Sequence, residues 1–309
     1  MSSRVSIKDR AVTLGFTLAW TLIRHLPPRL SYAVFRRLAD RSWRQSGTGV
    51  RRLEANLARV RPDLDETDLR ALSREGMRRY LRYWCDAFRL PALSREEVQA
   101  SFRMDHVEIL DAAMATGRGV IVALPHMGNW DHAGAWAALR YGHLVTVAER
   151  LKPEGLFDRF LAYRESLGME VHALGTPGIM DRLRDRLREG KLVALLADRD
   201  LSGSGVPVDF FGHTTKMPPG PARLAMETGA VLLTAVLWYD GPIAVADISG
   251  PILVPEEGDA SLRVQVMTQQ VADTFAAGIA EHPQDWHMLQ RLWLDQVASS
   301  RRTVEESLA

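Results

Sequence analysis

The stretch V-I-V-A-L-P-H-M-G-N-W-D, residues Val120–Asp131, decides the fold. Five apolar residues without alternation, led by Gly119 and closed by Pro125, are the pattern of a strand buried on both faces. Proline ends the strand because it cannot donate to a ladder and restrains the residue before it. His126 then falls at the carboxyl end of a strand, where open α/β sheets carry their ligand crevice. Asn129 is suited to cap a helix over residues 130–139, with Asp131 in its first turn. Residues five apart on one helix differ by about 140° in direction, so His126 and Asp131 meet only if the histidine lies on the loop. In that arrangement the carboxylate fixes the imidazole tautomer and leaves the other nitrogen free as a base. The same pattern suits a structural loop histidine followed by a helix-start acid.

Working outward, strand-like and helix-like segments alternate from Phe102 onward. Strands are expected at His143–Ala148, Glu170–Leu174, Leu192–Ala197, Val208–Phe211, Val231–Tyr239 and Ile243–Ile248, the last two finishing the sheet. Helices are expected at 153–167, 178–189, 219–228 and 260–281, with a closing segment Trp286–Trp293. This alternation predicts an α/β fold with a mixed, mostly parallel central sheet flanked by helices. Three expected strand ends carry polar clusters: His126 with Asp131, Glu149-Arg150, and Asp198-Arg199-Asp200. Charged groups at the carboxyl ends of apolar strands converge on one crevice in such a sheet. The chain has no G-x-S-x-G elbow, and its lone cysteine, Cys85, lies in an Arg-rich helical stretch far upstream. A base without an enzymic nucleophile acts most simply on a substrate hydroxyl, giving direct transfer to an alcohol. The remaining histidines (His132, His143, His172, His213, His282 and His287 among them) show no ligand spacing and read as structural.

With 309 residues and 46% hydrophobic content, the chain is long enough to bury a full core. Its formal charge of +1 hides an asymmetry, because residues 1–90 hold 19 Lys and Arg against 9 Asp and Glu. A basic amino-terminal third suggests a partner with phosphates, a membrane surface or nucleic acid, and no nucleic-acid motif is present. A single cysteine excludes an intrachain disulfide and a C-x-x-C zinc pattern. The apolar run Ala11–Ile23 falls short of the ~20 residues that a membrane-spanning helix needs. It is followed by Arg24, His25 and Pro27-Pro28 rather than a small-residue cleavage site. Leu30–Trp43 reads as a basic amphipathic helix, with Ala33, Val34 and Leu38 along one stripe and Arg29, Arg36, Arg37, Arg41 and Arg44 around it. Such a helix fits a membrane interface, and equally a solvated basic face over a buried stripe. Two more helices are expected at Val50–Val60 and Asp65–Phe88. The expected organisation is a single domain over residues 1–309, with a basic helical membrane-binding segment in 1–90 and an α/β catalytic core in 102–309.

Four ordered blocks carry a resemblance: L-P-H-M-G-N-W-D from Leu124, T-V-A-E-R-L-K-P-E-G from Thr146, A-D-R-D-L-S-G-S-G from Ala197, and M-P-P-G-P-A-R-L-A-M-E-T-G-A from Met217. With R-R-L-E-A-N-L near the amino terminus and W-H-M-L-Q near the carboxyl terminus, the chain resembles the bacterial lipid A/lysophospholipid acyltransferase family over essentially its whole length. Within it, the blocks look like the actinobacterial branch that acts on phosphatidylinositol mannosides. The resemblance implies an acyl-CoA donor, most often palmitoyl-CoA, and acylation of a mannose hydroxyl of that glycolipid. It implies no metal and no cofactor, and a peripheral place on the cytoplasmic face of the cell membrane, against an anionic surface. His126 would be the general base with Asp131 orienting it, and Glu149, Arg164, Asp198 and Arg199 would line the substrate site. Asp198 stands where close relatives often carry Glu, as in A-E-R-D-L. Acylation of another glycolipid, thioester hydrolysis, and a non-catalytic membrane-surface protein are the alternatives.

Overall fold

The computed structural model describes residues 20–149 and 154–296. Most of the Ala11–Ile23 run, and Arg150, lie outside the described residues. Residues 20–25 are helical, and α1 (Pro28–Arg44), α2 (Thr48–Val60) and α3 (Glu66–Arg89) follow them. Each of the three named helices covers an expected one. Pro28 opens α1 at the position where a missing N–H costs nothing, and the Asp65 carboxylate caps α3 by accepting from the Asp68 N–H at 2.8 Å. A short α4 (Arg95–Ala100) leads into the α/β body.

The body runs β1 (Phe102–Asp105), α5 (Val107–Ala115), β2 (Val120–Leu124), α6 (Trp130–Tyr141), β3 (Leu144–Ala148), α7 (Glu154–Ser166), β4 (Met169–Ala173), α8 (Ile179–Arg188) and β5 (Leu192–Leu196). Then follow β6 (Val206–Phe210), β7 (His213–Met217), α9 (Gly220–Thr228), β8 (Val231–Asp240), β9 (Ile243–Ser249) and α10 (Ala260–Glu281). The main sheet has seven strands in the order β1-β9-β8-β2-β5-β3-β4. All neighbours are parallel except β8 and β9, which are joined by a tight turn and pair antiparallel. The expected mixed, mostly parallel sheet is therefore the observed one. Among the described residues, no helix is long and apolar enough to cross a membrane.

β2 sits between β8 and β5 and all five of its residues are buried. Its side chains alternate between two cores, as a period of two requires. Ile121 and Ala123 join the cluster under α8, α9 and α10, whereas Val120, Val122 and Leu124 join the one under α5, α6 and α7. Burying one such Val, Ile or Leu contributes about 1.5–3 kcal/mol, which is why this uninterrupted run took the centre of the sheet.

Two segments depart from the sequence reading. Residues 206–210 form a hairpin with β7, apart from the main sheet, and β1 pairs with β9 at the opposite edge. Phe102–Asp105 holds one apolar pair in four residues, too little for periodicity to mark a strand. The Trp286–Trp293 segment is irregular, tied down by single bridges from Trp286 to Met127 and from Trp293 to Thr215.

Candidate active site

Pro125 releases the chain from β2, and the next residue, His126, projects over the carboxyl edge of the sheet with its side chain 22% exposed. Gly128 then presses against β8. Its φ is +58°, and a Cβ there would stand 2.6 Å from the Leu237 carbonyl carbon, so only glycine makes this turn. Asn129 caps α6 by accepting from the His132 N–H at 3.0 Å.

The carboxylate that meets His126 is Asp198. Its Oδ1 lies 2.6 Å from His126 Nδ1, and its Oδ2 accepts from the His126 backbone N–H at 2.9 Å and from Trp286 Nε1–H at 3.1 Å. Strand register explains the meeting. β2 and β5 are parallel neighbours with Leu124 opposite Leu196, so the residues two beyond each, 126 and 198, face one another. Asp198 is fully buried. Burial alone would raise its pKa, but the electrostatic pull of the imidazole and the hydrogen bonds from His126 and Trp286 outweigh it and hold the carboxyl below its ordinary value. An anion at Nδ1 makes that nitrogen the protonated one and leaves Nε2 as the free lone pair.

Asp131 is elsewhere, which corrects the expectation from its spacing. It is buried in the first turn of α6 and accepts from Arg164 Nε at 2.7 Å, from Arg164 Nη2 at 3.3 Å and from the Tyr83 hydroxyl at 2.9 Å. The helix start turns the carboxylate toward α3 and α7 and away from the imidazole. For Arg164, burial works against the charged form, yet Asp131 more than compensates and its pKa is raised. Burial together with Asp131 raises the Tyr83 phenol well above its ordinary value. Asp198 is likewise corrected: it stands behind His126 rather than at the crevice rim and offers no surface to a sugar. Glu149 and Arg199 do meet at the rim, 2.9 Å apart.

Around His126 is a chamber of about 200 Å³ that brings together Glu149, Arg164 and Arg199 under the rings of Tyr83 and Trp130. Two apolar cavities adjoin it. One, of about 190 Å³, reaches His126 and runs between Leu183, Leu195 and Leu224. The other, of about 80 Å³, lies beneath α6 against Val122, Gly134 and Ala235, and shares Trp130, Val147 and Arg164 with the chamber. The site thus pairs a polar, aromatic-walled room with apolar extensions on both faces of the sheet. Cys85 is no rival nucleophile, since burial pushes its thiol up to about 12.

Residue pattern alone missed Trp286 and Tyr83. The W-H-M-L-Q block held the clue to the first, because an indole N–H in a carboxyl-terminal loop must find an acceptor when buried. His287 beside it donates Nε2–H to the Gly128 carbonyl at 3.0 Å, and burial pushes its pKa down to about 4, so it is neutral.

The model of the bacterial lipid A biosynthesis acyltransferase family matches residues 2–295. The chain is 42% identical over 306 residues to the phosphatidylinositol mannoside acyltransferase of Mycolicibacterium smegmatis, covering 98% of each chain. It is 43% identical over 308 residues to the phosphatidylinositol mannoside acyltransferase of Mycobacterium tuberculosis H37Rv, covering 97% of this chain and 94% of the other.

Proposed function

The chain belongs to the bacterial lipid A biosynthesis acyltransferase family, and from that premise we propose that it moves a long-chain acyl group, typically palmitoyl, from acyl-CoA to a mannose hydroxyl of a phosphatidylinositol mannoside. The observation that carries the chemistry is the buried His126–Asp198 pair, which leaves Nε2 of a partly exposed imidazole as the base. In this reading Nε2 takes the proton of the acceptor hydroxyl as the oxygen bonds to the thioester carbonyl carbon. The tetrahedral adduct collapses, the carbon–sulfur bond breaks, and the imidazolium returns the proton to the CoA thiolate. Asp198 stabilises the imidazolium without being protonated itself. Among the described residues no hydroxyl or thiol side chain bonds His126, which favours direct transfer over an acyl-enzyme.

Glu149 and Arg199 are suited to hydroxyl and carbonyl groups of the substrates at the rim, and the apolar cavities to the acyl chain. Arg164 serves by fixing Asp131 and the chamber wall. The names of the mycobacterial relatives support the glycolipid acceptor. A peripheral place on an anionic membrane, at its cytoplasmic face, is supported by α1. Leu30, Val34 and Leu38 follow one another at four-residue steps and are 47%, 38% and 48% exposed, with exposed Arg29, Arg36, Arg37 and Arg41 around them. Each such cation near an anionic surface adds about 1 kcal/mol of attraction.

The test is an acyl-transfer assay offering a phosphatidylinositol mannoside, a lipid A precursor and water as acceptors, with His126→Ala beside the unaltered protein. Transfer to the mannoside, reduced ~10²–10⁴-fold in the folded variant, is the expected outcome. Hydrolysis without transfer, or activity undiminished in His126→Ala, refutes the reading.

A further inference from the structure

Just past α10, residues 285–287 touch the site at every step. The Asp285 carbonyl accepts from the Gly128 N–H at 2.9 Å, Trp286 donates its indole N–H to Asp198 at 3.1 Å, and the His287 N–H bonds the His126 carbonyl at 2.8 Å. The segment closes over the loop that carries His126 like a clasp. Those bonds hold the segment; the side chain at its first residue is the unusual feature. Asp285 is fully buried, its Oδ1 has no hydrogen-bond partner, and its Oδ2 receives a long bond of 3.3 Å from Gln284. The cation opposite is Arg79 of α3, whose Nε is shared: it stands 3.1 Å from Glu75 Oε1 on the same helix and 3.9 Å from Asp285 Oδ1.

An incompletely bonded buried carboxyl costs stability, and a neutral side chain of the same shape would fill this space more cheaply. Such violations of local economy in native proteins concentrate at functional sites. We propose that Asp285 is a positioning residue for the His126–Asp198 pair: drawn toward Arg79, it holds the 285–287 clasp so that the Trp286 indole N–H stays on Asp198. The inference rests on His126 being the base. Burial pushes the Asp285 carboxyl up to about 7, against the pull of Arg79, the Tyr239 backbone N–H on β8 and Arg82, while Glu75 on α3 adds to the rise. The nearest titratable group at the end of α10, His282, is turned away onto Trp238, with ring centroids 4.4 Å apart. The carboxyl therefore gives up its charge, and with it the attraction to Arg79, as pH falls through the neutral range.

Asp285→Asn keeps the shape and removes the charge for good. The variant is expected to melt at or above the temperature of the unaltered protein, yet lose about tenfold in kcat, with KM for acyl-CoA and for the mannoside within twofold. Its kcat should also lack the rise near pH 7 that the unaltered protein shows. Arg79→Met keeps the stem of the side chain and deletes the cation, which raises the Asp285 pKa, so the same rise should move to higher pH. An Asp285→Asn variant that melts lower and keeps its kcat would make the carboxylate a merely structural partner of Arg79 and overturn the proposal. So would an unmoved pH profile in Arg79→Met, which tests the idea even if Asp285→Asn fails to fold. His126→Ala assayed in parallel separates failure of this inference from failure of the base assignment.

Discussion

Asp198→Asn is the sharpest perturbation of the catalytic reading. The carboxylate accepts three hydrogen bonds, two of them from His126 and one from Trp286, and it has no contact with solvent. An asparagine occupies the same volume, but one of its two polar ends is now a donor. With its oxygen kept on the His126 and Trp286 N–H groups, the amide nitrogen faces Nδ1. Nδ1 must then become the acceptor, so the proton moves to Nε2 and the lone pair that should receive the hydroxyl proton disappears. In serine-protease triads the corresponding change costs about 10⁴ in kcat through the wrong tautomer. The expected loss here is ~10²–10⁴ in kcat, or about 2.7–5.5 kcal/mol at 1.36 kcal/mol per decade, with little change in KM for acyl-CoA. The assay is the initial rate of transfer from acyl-CoA to a mannoside acceptor, with a melting curve on the same preparation. The NMR signature of the imidazole should show the proton moved from Nδ1 to Nε2. A folded Asp198→Asn variant with kcat within threefold of the unaltered protein would refute the dyad, and unaltered catalysis with a raised acceptor KM would return Asp198 to a sugar-binding role.

Asp131→Asn should behave differently. It leaves Arg164 buried without its counter-charge, a loss worth about 3–5 kcal/mol for a buried pair, so thermal stability should fall first, with catalysis following only as the chamber wall loosens. Matching tautomer and rate effects in the two variants would contradict this division. Acid should destabilise the protein through Asp198: its folded pKa lies below the ordinary value, so its stabilisation is present above the unfolded pKa and is lost as pH falls through the folded one. Melting temperature should decline below about pH 4 and decline less in Asp198→Asn; equal slopes would argue against the shift. Replacing Leu30, Val34 and Leu38 by serine should weaken binding to anionic vesicles without lowering the melting temperature, since all three are exposed. High salt should do part of the same by screening the arginines, and unchanged vesicle partitioning would remove α1 from the membrane face.

Much of this protein is written in local pattern. The run Val120–Leu124, closed by Pro125, is enough to place a central strand, because only full burial on both faces rewards five consecutive apolar residues. Helix 260–281 is equally plain, with Asp259 as its cap accepting from the Leu262 N–H at 2.9 Å. His126 as a candidate base follows from its place at that strand's end, and the family resemblance from four ordered blocks. The partner of His126 was not legible. Asp131 is five residues away along the chain and Asp198 seventy-two, and nothing local distinguishes them. The choice belongs to the register of β2 on β5 and to the direction in which the first turn of α6 aims its carboxylate. Both are set by packing among elements distant in sequence. The same holds for Trp286 and Asp285, which reach the site only after α10 has crossed the sheet. Local periodicity decides which segments are strands and which are helices, because it reports how each residue meets the core. Which side chains meet at the strand ends is decided by the assembled sheet, where hydrogen-bond register turns sequence separation into a contact of 2.6 Å.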